Sequence, residues 1–375
     1  MTRQPLTLEN FPAWNDWKWQ YTHRITNLDA LSKVIPLSEI EKEQIGRCLT
    51  QFRMSIPPYY ASLIDPEDPN DPIRRQAVPS IEETYVCPSD MTDPLNEEGD
   101  SPVPHLVHRY PDRVLVLVSY QCAMYCRHCT RRRVVGEGDR IITDRQLQPI
   151  IEYITAHPAI RDVLISGGDP LLMETARLER ILSRIRAIPH VDIIRIGTRV
   201  PVVLPMRITD ELVGMLRKYH PLWINTHFNH PREITPEAER ACAAIVDAGI
   251  PLGNQSVLLR GINDSLPVMR ELLVKLVHLR VRPYYLYQCD LSRGISHFRT
   301  TVDAGVALMH GLTGYLSGYA VPRYVIDAPE GGGKVPINYP YVISRNDKEV
   351  VFENYLGRTY RYPQPTPATP PNGPG

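Results

Sequence analysis

Residues 113–129 read RVLVLVSYQCAMYCRHC, an apolar run of strand character that ends directly in three cysteines. A short unbroken apolar run rich in β-branched residues suits a strand of a buried parallel sheet. The same unit recurs as RDVLISGGD (161–169), VDIIRIGTR (191–199), PLWINTHFN (221–229), PLGNQSVLL (251–259) and RPYYLYQCD (282–290). Amphipathic segments such as TPEAERACAAIVDAG (235–249) and LPVMRELLVKLVH (266–278) separate these runs. Six strand–helix repeats with right-handed crossovers predict an α/β fold, a parallel sheet covered by helices on one side. Six units rather than eight predict an open, partial (β/α)6 barrel of TIM-like type. In such a sheet functional groups gather at the C-terminal ends of the strands. There the chain places the cysteines after the first strand, SGGDP after the second, GTR after the third, NTH after the fourth, Gln255 on the fifth and Cys289-Asp290 after the sixth.

The flanks have a different texture. WNDWKWQY (14–21) and IPLSEIEKEQIGRCLTQFRM (35–54) are helical and aromatic, and the Pro/Asp-rich DPEDPNDP (65–72) follows. The expected division is a helical extension and loop over 1–105, the barrel core over 106–320, a C-terminal lysine-bearing segment with a hairpin over 321–360, and a tail over 361–375. YVISRNDKEVVFENY (341–355) reads as the hairpin, turning at Asn346-Asp347, and the six prolines of residues 363–375 predict disorder.

Composition narrows the function classes. The 375-residue chain is 43% hydrophobic, with 42 basic and 42 acidic residues. That balance gives no global field for nucleic acid or anionic membrane, so neither partner is expected. MTRQPLTLEN at the start lacks the apolar core of a signal peptide, and no window supplies the ~20 apolar residues of a membrane span, so a cytoplasmic location is expected. Seven cysteines, three of them bunched, suit reduced thiols on a metal better than a disulfide framework.

Cys122, Cys126 and Cys129 have the spacing C-x3-C-x2-C. Three thiolates after a strand can converge on a [4Fe–4S] cluster, leaving one iron open, whereas structural zinc ordinarily takes four closed ligands. A zinc knuckle completed by His128 or a distant cysteine, and three unrelated thiols, are the alternatives that spacing alone leaves open. APEGGGKVP (328–336) brings three glycines before Lys334, freeing the backbone to set an amine in a pocket, as a lysine that condenses with a carbonyl requires. It is not a phosphate-binding P-loop, because Ala328 stands where the first glycine belongs and Val335 where Ser or Thr would bind magnesium.

The cysteine motif after the first strand with SGGDP after the second resembles the radical S-adenosylmethionine superfamily. HRYPDR (108–113), CAMYCRHCTRRR (122–133), SGGDPLL (166–172), NTHFNHP (225–231), YYLYQCDLSRGISHFRT (284–300) and DAPEGGGK (327–334) resemble, more narrowly, the lysine 2,3-aminomutase family. The likeness runs from WNDWKWQ (14–20) to about Tyr339. It implies a barrel of the radical S-adenosylmethionine type and three cofactors: a [4Fe–4S] cluster, S-adenosylmethionine and pyridoxal 5′-phosphate. By the resemblance, Cys122, Cys126 and Cys129 hold iron. Ser166, Gly167, Gly168, Asp169, His227 and Gln255 face S-adenosylmethionine. Lys334 carries pyridoxal phosphate, whose phosphate lies against Arg109, Tyr110 and Arg113. One electron from the cluster then cleaves the sulfonium, and the resulting carbon radical removes a β hydrogen from an amino acid.

The resemblance also names a substrate site. Arg131 corresponds to the partner of the substrate α-carboxylate, and Asp290 with Asp327 to the two carboxylates that capture the distal ammonium of L-lysine. Two buried anions are costly without a cation between them, so the pair argues for a basic side chain. The implied reaction is conversion of L-lysine to L-β-lysine. L-Arginine, whose guanidinium also bridges two carboxylates, and a lysine of a protein chain are the alternatives. The expected partners are a small amino acid, a flavodoxin or ferredoxin as electron donor, and further copies in a homo-oligomer. Two departures stand out: Ser265 lies near the position of an internal zinc-binding cysteine of some members, with no cysteine after Cys289, and Glu330 replaces a glycine of many relatives.

Overall fold

The computed structural model describes residues 12–135 and 138–365. Its main sheet has nine strands: β1 Leu106–Tyr110, β2 Arg113–Ser119, β3 Asp162–Gly167, β4 Ile193–Gly197, β5 Leu222–Thr226, β6 Leu252–Leu258, β7 Arg282–Gln288, β8 Arg323–Ala328 and β9 Gly333–Pro336. They pair in chain order. Strands β2 to β8 are all parallel, and β1 and β9 join the two ends antiparallel. The six units read from sequence are β2 to β7. The structure adds β8 as a seventh parallel strand and closes both margins with an antiparallel one, giving a nearly closed barrel-like sheet.

Side chains of β2, β3 and β4 alternate between two environments, as a pleated strand requires. Val114, Val116, Val118, Val163, Ile165, Ile194 and Ile196 are buried beneath helices that include Asp144–Ala156 and Thr175–Arg186. Each such side chain contributes about 1.5–3 kcal/mol of hydrophobic stabilisation. The alternate residues Arg113, Leu115, Asp162, Leu164, Ser166, Arg195 and Gly197 line a cavity on the other face. The sequence placed function at the strand ends, and the structure extends it across this concave face.

Helix starts follow local chemistry. Ser38 and Glu41 form a reciprocal capping box at Glu39–Leu49, and Thr143 with Gln146 does so at Asp144–Ala156. The N-terminal helices pack on the barrel through buried Tyr59 and Tyr60, whose hydroxyls meet Thr235 and Glu233 at 2.5 and 2.7 Å. At the other end, β10 Val342–Arg345, β11 Glu349–Glu353 and β12 Thr359–Pro363 form a three-stranded antiparallel sheet. The expected hairpin at Asn346-Asp347 is its first half. The third strand occupies residues where the tail was expected to begin, and residues 366–375 lie outside the described residues.

Candidate active site

The cysteine loop leaves β2 and is clamped from two sides. The N-terminal extension holds it through Tyr125 N–H to Ser55 O at 3.1 Å, Arg127 N–H to Gln76 O at 3.0 Å, and Ser55 Oγ to Ala123 O at 2.9 Å. The loop after β7 holds it through Arg132 Nη1 to Gly294 O at 2.7 Å and the Thr130 hydroxyl to the Asp290 carboxylate. The three thiols sit close enough to load one another electrostatically. Burial pushes the Cys122 thiol well up, followed by Cys129, Asp169 and Cys126. Burial and then Cys126 push Cys129 up to about 11. A bound cation relieves such crowding by taking the thiols as thiolates.

Among the described residues no three or more His, Cys, Asp and Glu side chains converge as ligands of a single metal ion. A cuboidal cluster offers its irons at separate corners, so its thiolates need not share one point. His128, which in the alternative reading would complete a zinc knuckle, is buried with Nε2 at 3.3 Å from the Asn229 side-chain nitrogen. Burial holds its imidazole well below its usual range.

The glycines of SGGDP have a specific packing reason. A Cβ on Gly167, whose φ is +126°, would lie 2.2 Å from Ser119 O, and one on Gly168 would lie 2.2 Å from Gln121 O. The N–H groups of Gly168 and Asp169 donate to those carbonyls. The bare backbone of this turn is thus pressed against the start of the cysteine loop. Asp169 is buried, and its carboxylate accepts from Thr198 Oγ1 at 2.6 Å, Arg199 N at 2.7 Å and Leu171 N at 3.1 Å. Burial raises its pKa to about 6 against those bonds. Of the stretch Ser166–Asp169, only Ser166 lines the cavity.

The cavity measures about 510 Å³ and gathers residues scattered through the chain. Arg109, Tyr110, Arg113, Arg131, Ser166, His227, Gln255, Asp290, Asp327 and Lys334 all line it. Lys334 projects from β9, where Gly333 adopts φ +80°. Its Nζ donates to Asp327 Oδ1 at 3.0 Å and lies 5.3 Å from the centroid of the Tyr287 ring. Its backbone N–H donates to the Tyr110 hydroxyl at 2.8 Å. The Arg113 guanidinium stacks 3.8 Å above the Tyr110 ring and pairs with Asp112. Arg109 is held by Asp100 at 2.8 Å and by the Leu95 carbonyl. Glu330, the residue in place of a common glycine, has φ +58°, and its N–H donates to Pro94 O at 3.0 Å. Such a left-handed backbone is one that glycine adopts without strain.

Asp290 is buried. Burial raises its pKa to about 6, the Thr130 hydrogen bond opposes this, Asp327 adds to it, and Lys334 and Arg131 oppose it. Arg131 is tied to Glu97 by Nε at 2.9 and 3.1 Å and by Nη2 at 2.6 Å, leaving Nη1 outside that fork. The imidazole of His227 has its pKa lowered to about 4 by burial and by Arg199 and Arg131, so it is neutral at physiological pH.

Several site residues had no signal in the sequence. Glu97 lies in a polar turn of the N-terminal extension, far from any motif. Asp162, Arg195 and Tyr285 are in-strand residues that reach the cavity by alternation alone. Arg199 closes the GTR that follows β4, where nothing local marks it, yet its Nη1 lies 2.8 Å from Cys126 Sγ.

Two family models match this chain: "Radical SAM superfamily" over residues 116–273 and "Lysine-2,3-aminomutase" over residues 309–373. L-lysine 2,3-aminomutase of Acetoanaerobium sticklandii is 58% identical over 352 residues, 94% of this chain and 85% of that protein. The chain belongs to the lysine 2,3-aminomutase family. L-lysine 2,3-aminomutase of Clostridium subterminale is 56% identical over 357 residues, 95% of this chain and 86% of that protein. Glutamate 2,3-aminomutase of Clostridioides difficile is 48% identical over 348 residues, 93% of this chain and 82% of that protein. As a lysine 2,3-aminomutase family member the protein is an isomerase of the radical S-adenosylmethionine type that acts on a small amino acid. Its cofactors are a [4Fe–4S] cluster, S-adenosylmethionine and pyridoxal phosphate. Among the described residues no helix is long and apolar enough to cross a membrane.

Proposed function

We propose that this family member moves the α-amino group of L-lysine to the β carbon, giving L-β-lysine (3,6-diaminohexanoate). The observation that carries the reading is the pair Asp290 and Asp327 on one cavity wall with Lys334, in a cavity that Arg131 also lines. In this reading Cys122, Cys126 and Cys129 hold the cluster, with Ser166, Gly167, Gly168, Asp169, His227 and Gln255 around S-adenosylmethionine. Lys334, Arg109, Tyr110 and Arg113 hold pyridoxal phosphate. The bound cofactors supply removal of hydrogen as an atom and a covalent handle on the amino group.

The chain's own residues do the rest. Arg131 offers Nη1 to the substrate carboxylate while Glu97 fixes its other edge, so the forked donor is pre-aimed. Asp327 and Asp290 flank the far end, and an ammonium between them offsets the burial, and the smaller repulsion from Asp327, that raise the Asp290 pKa. Both ends of the amino acid are then fixed, which orients the carbons between them. Carbonyls of the Ser166–Gly168 turn would accept from the ammonium of S-adenosylmethionine, and neutral His227 would add no positive charge to the site of that cation. The Arg113 guanidinium, stacked on Tyr110, is the cation suited to a phosphate. Residues Thr130, Arg131 and Asp290 reach the same cavity directly from the cysteine loop and the end of β7, which keeps the reacting groups close to the iron ligands. The volume of the cavity suits small molecules rather than a protein segment.

The reading is tested by anaerobic reconstitution with iron, sulfide, pyridoxal phosphate, S-adenosylmethionine and a one-electron reductant, followed by turnover of L-lysine, L-arginine and L-glutamate in parallel. L-Lysine should give the highest kcat/KM and L-glutamate none. Faster turnover of L-arginine replaces lysine by arginine within the same class, and turnover of L-glutamate contradicts the two-carboxylate argument.

A further inference from the structure

Arg199 is a buried cation that does not line the cavity, so the handling of substrate leaves it unused. It follows β4 and is locked on every side. Nη2 donates to Gln76 Oε1 at 2.6 Å and to Glu233 Oε1 at 2.7 Å, Nε donates to His227 O at 3.1 Å, and its backbone N–H donates to Asp169 at 2.7 Å. Glu233 is itself fixed, accepting from Asn229 N at 2.6 Å, His230 N at 2.9 Å and Tyr60 Oη at 2.7 Å. What remains is Nη1, and it points at Cys126 Sγ, 2.8 Å away.

A buried arginine needs one anion, and Glu233 already supplies it. The contact with sulfur is therefore beyond what charge pairing of the guanidinium requires. Resting on the reading that Cys126 is an iron ligand, we propose that Arg199 is a positioning residue whose hydrogen bond to the Cys126 sulfur makes the cluster easier to reduce. Reduction adds one electron, delivered by an external one-electron reductant, and no bond forms or breaks. The added negative charge spreads onto the sulfur ligands, so an N–H aimed at one of them stabilises the reduced cluster more than the oxidised one. Burial strengthens the preference, because little water competes for the sulfur. Glu233 offsets the net charge of Arg199, so the effect comes from the directed N–H rather than from a bare cation. The same guanidinium bonds the carbonyl of His227, which couples the cluster's sulfur to the strand end that faces the cavity.

The test measures the midpoint potential of the cluster by reductive titration followed by electron paramagnetic resonance, using the full chain reconstituted with iron and sulfide and no substrate. Arg199→Gln removes the charged donor, Arg199→Lys keeps the charge without the fork, and Arg199→Gln/Glu233→Gln removes both members of the ion pair so that no buried charge is stranded. Iron and acid-labile sulfide should stay at wild-type levels in at least the double variant. Its reduction equilibrium should fall about tenfold, which for one electron is about 59 mV more negative. Arg199→Lys should lie between the double variant and wild type. A potential that is unchanged or more positive in an iron-replete variant overturns the proposal, as does loss of iron from all three variants, which would make Arg199 a structural residue only. Cys126→Ala is the separate control: if it keeps its full iron content, the ligand assignment itself has failed rather than the role of Arg199.

Discussion

Tyr110 and Lys334 stand on the two edge strands of the main sheet, β1 and β9, and the Tyr110 hydroxyl accepts the Lys334 backbone N–H at 2.8 Å. One side-chain hydrogen bond thus spans the seam of the barrel at the residue assigned to pyridoxal phosphate. Tyr110→Phe removes the acceptor and should cost about 1–3 kcal/mol of stability. It should also lower pyridoxal occupancy at limiting cofactor, read as covalent pyridoxyl label on Lys334 after borohydride reduction. Equal stability and equal labelling would show that the seam bond is idle. Labelling of another lysine would remove Lys334 from its role.

Gly168→Ala tests the contact between the SGGDP turn and the cysteine loop. The new Cβ would sit 2.2 Å from Gln121 O, a backbone atom that can move only by shifting the residue before Cys122. A loss of about 1–3 kcal/mol in denaturant unfolding is expected, together with reduced iron retention. Normal iron content with full stability would mean that the turn and the loop are not packed as described.

Removal of any one thiol of the triplet should abolish iron retention. Cys122→Ala, Cys126→Ala and Cys129→Ala are therefore expected to lose iron on gel filtration after reconstitution. Cys48→Ala, Cys242→Ala and Cys289→Ala, buried elsewhere, should keep it. Undiminished iron in any triplet variant removes that residue from the ligand set.

The parallel core was legible in the sequence because buried parallel strands are apolar runs of strand length and their crossovers are amphipathic. β8 is less legible, since RYVIDA reads as the lead into a glycine loop, and β1 overlaps HRYPDR, whose charges hide a strand. Cysteines, glycines and Lys334 carry their chemistry in residue type and spacing. Glu97 and Arg199 carry theirs in three-dimensional contact with Arg131 and Cys126, across 34 and 73 positions of chain. An isolated Glu or Arg looks the same on a solvated surface as in a buried pair, so no local pattern announces them. The resemblance puts Gly167 and Gly168 beside S-adenosylmethionine, and the structure shows that their missing side chains make room for Ser119 and Gln121.

Asp290 predicts a pH dependence with a definite sign. Its pKa is raised by burial to about 6, above the ~3.9 of an unfolded aspartate. Protons are then held more tightly in the folded state, so this group's contribution to stability is complete below about pH 4 and is lost as pH rises through about 6. Binding a cationic side chain needs the ionised form, so kcat/KM for L-lysine should rise through the same range. Asp290→Asn should lose that limb and lower kcat/KM by roughly ten- to a hundredfold. At pH 7.5 the variant should be no less stable than wild type. An unchanged acid limb in Asp290→Asn would assign it to another group, of which Asp169, also raised to about 6, is the first to examine.

The proposed reaction stands on migration of nitrogen between adjacent carbons of L-lysine. It is tested most directly by giving the reconstituted protein L-lysine labelled with 15N at the α position and following the label by NMR. The expected product carries 15N bonded to C3 of 3,6-diaminohexanoate, with C6 nitrogen unlabelled. Label that stays on C2, or leaves as free ammonia, would contradict it.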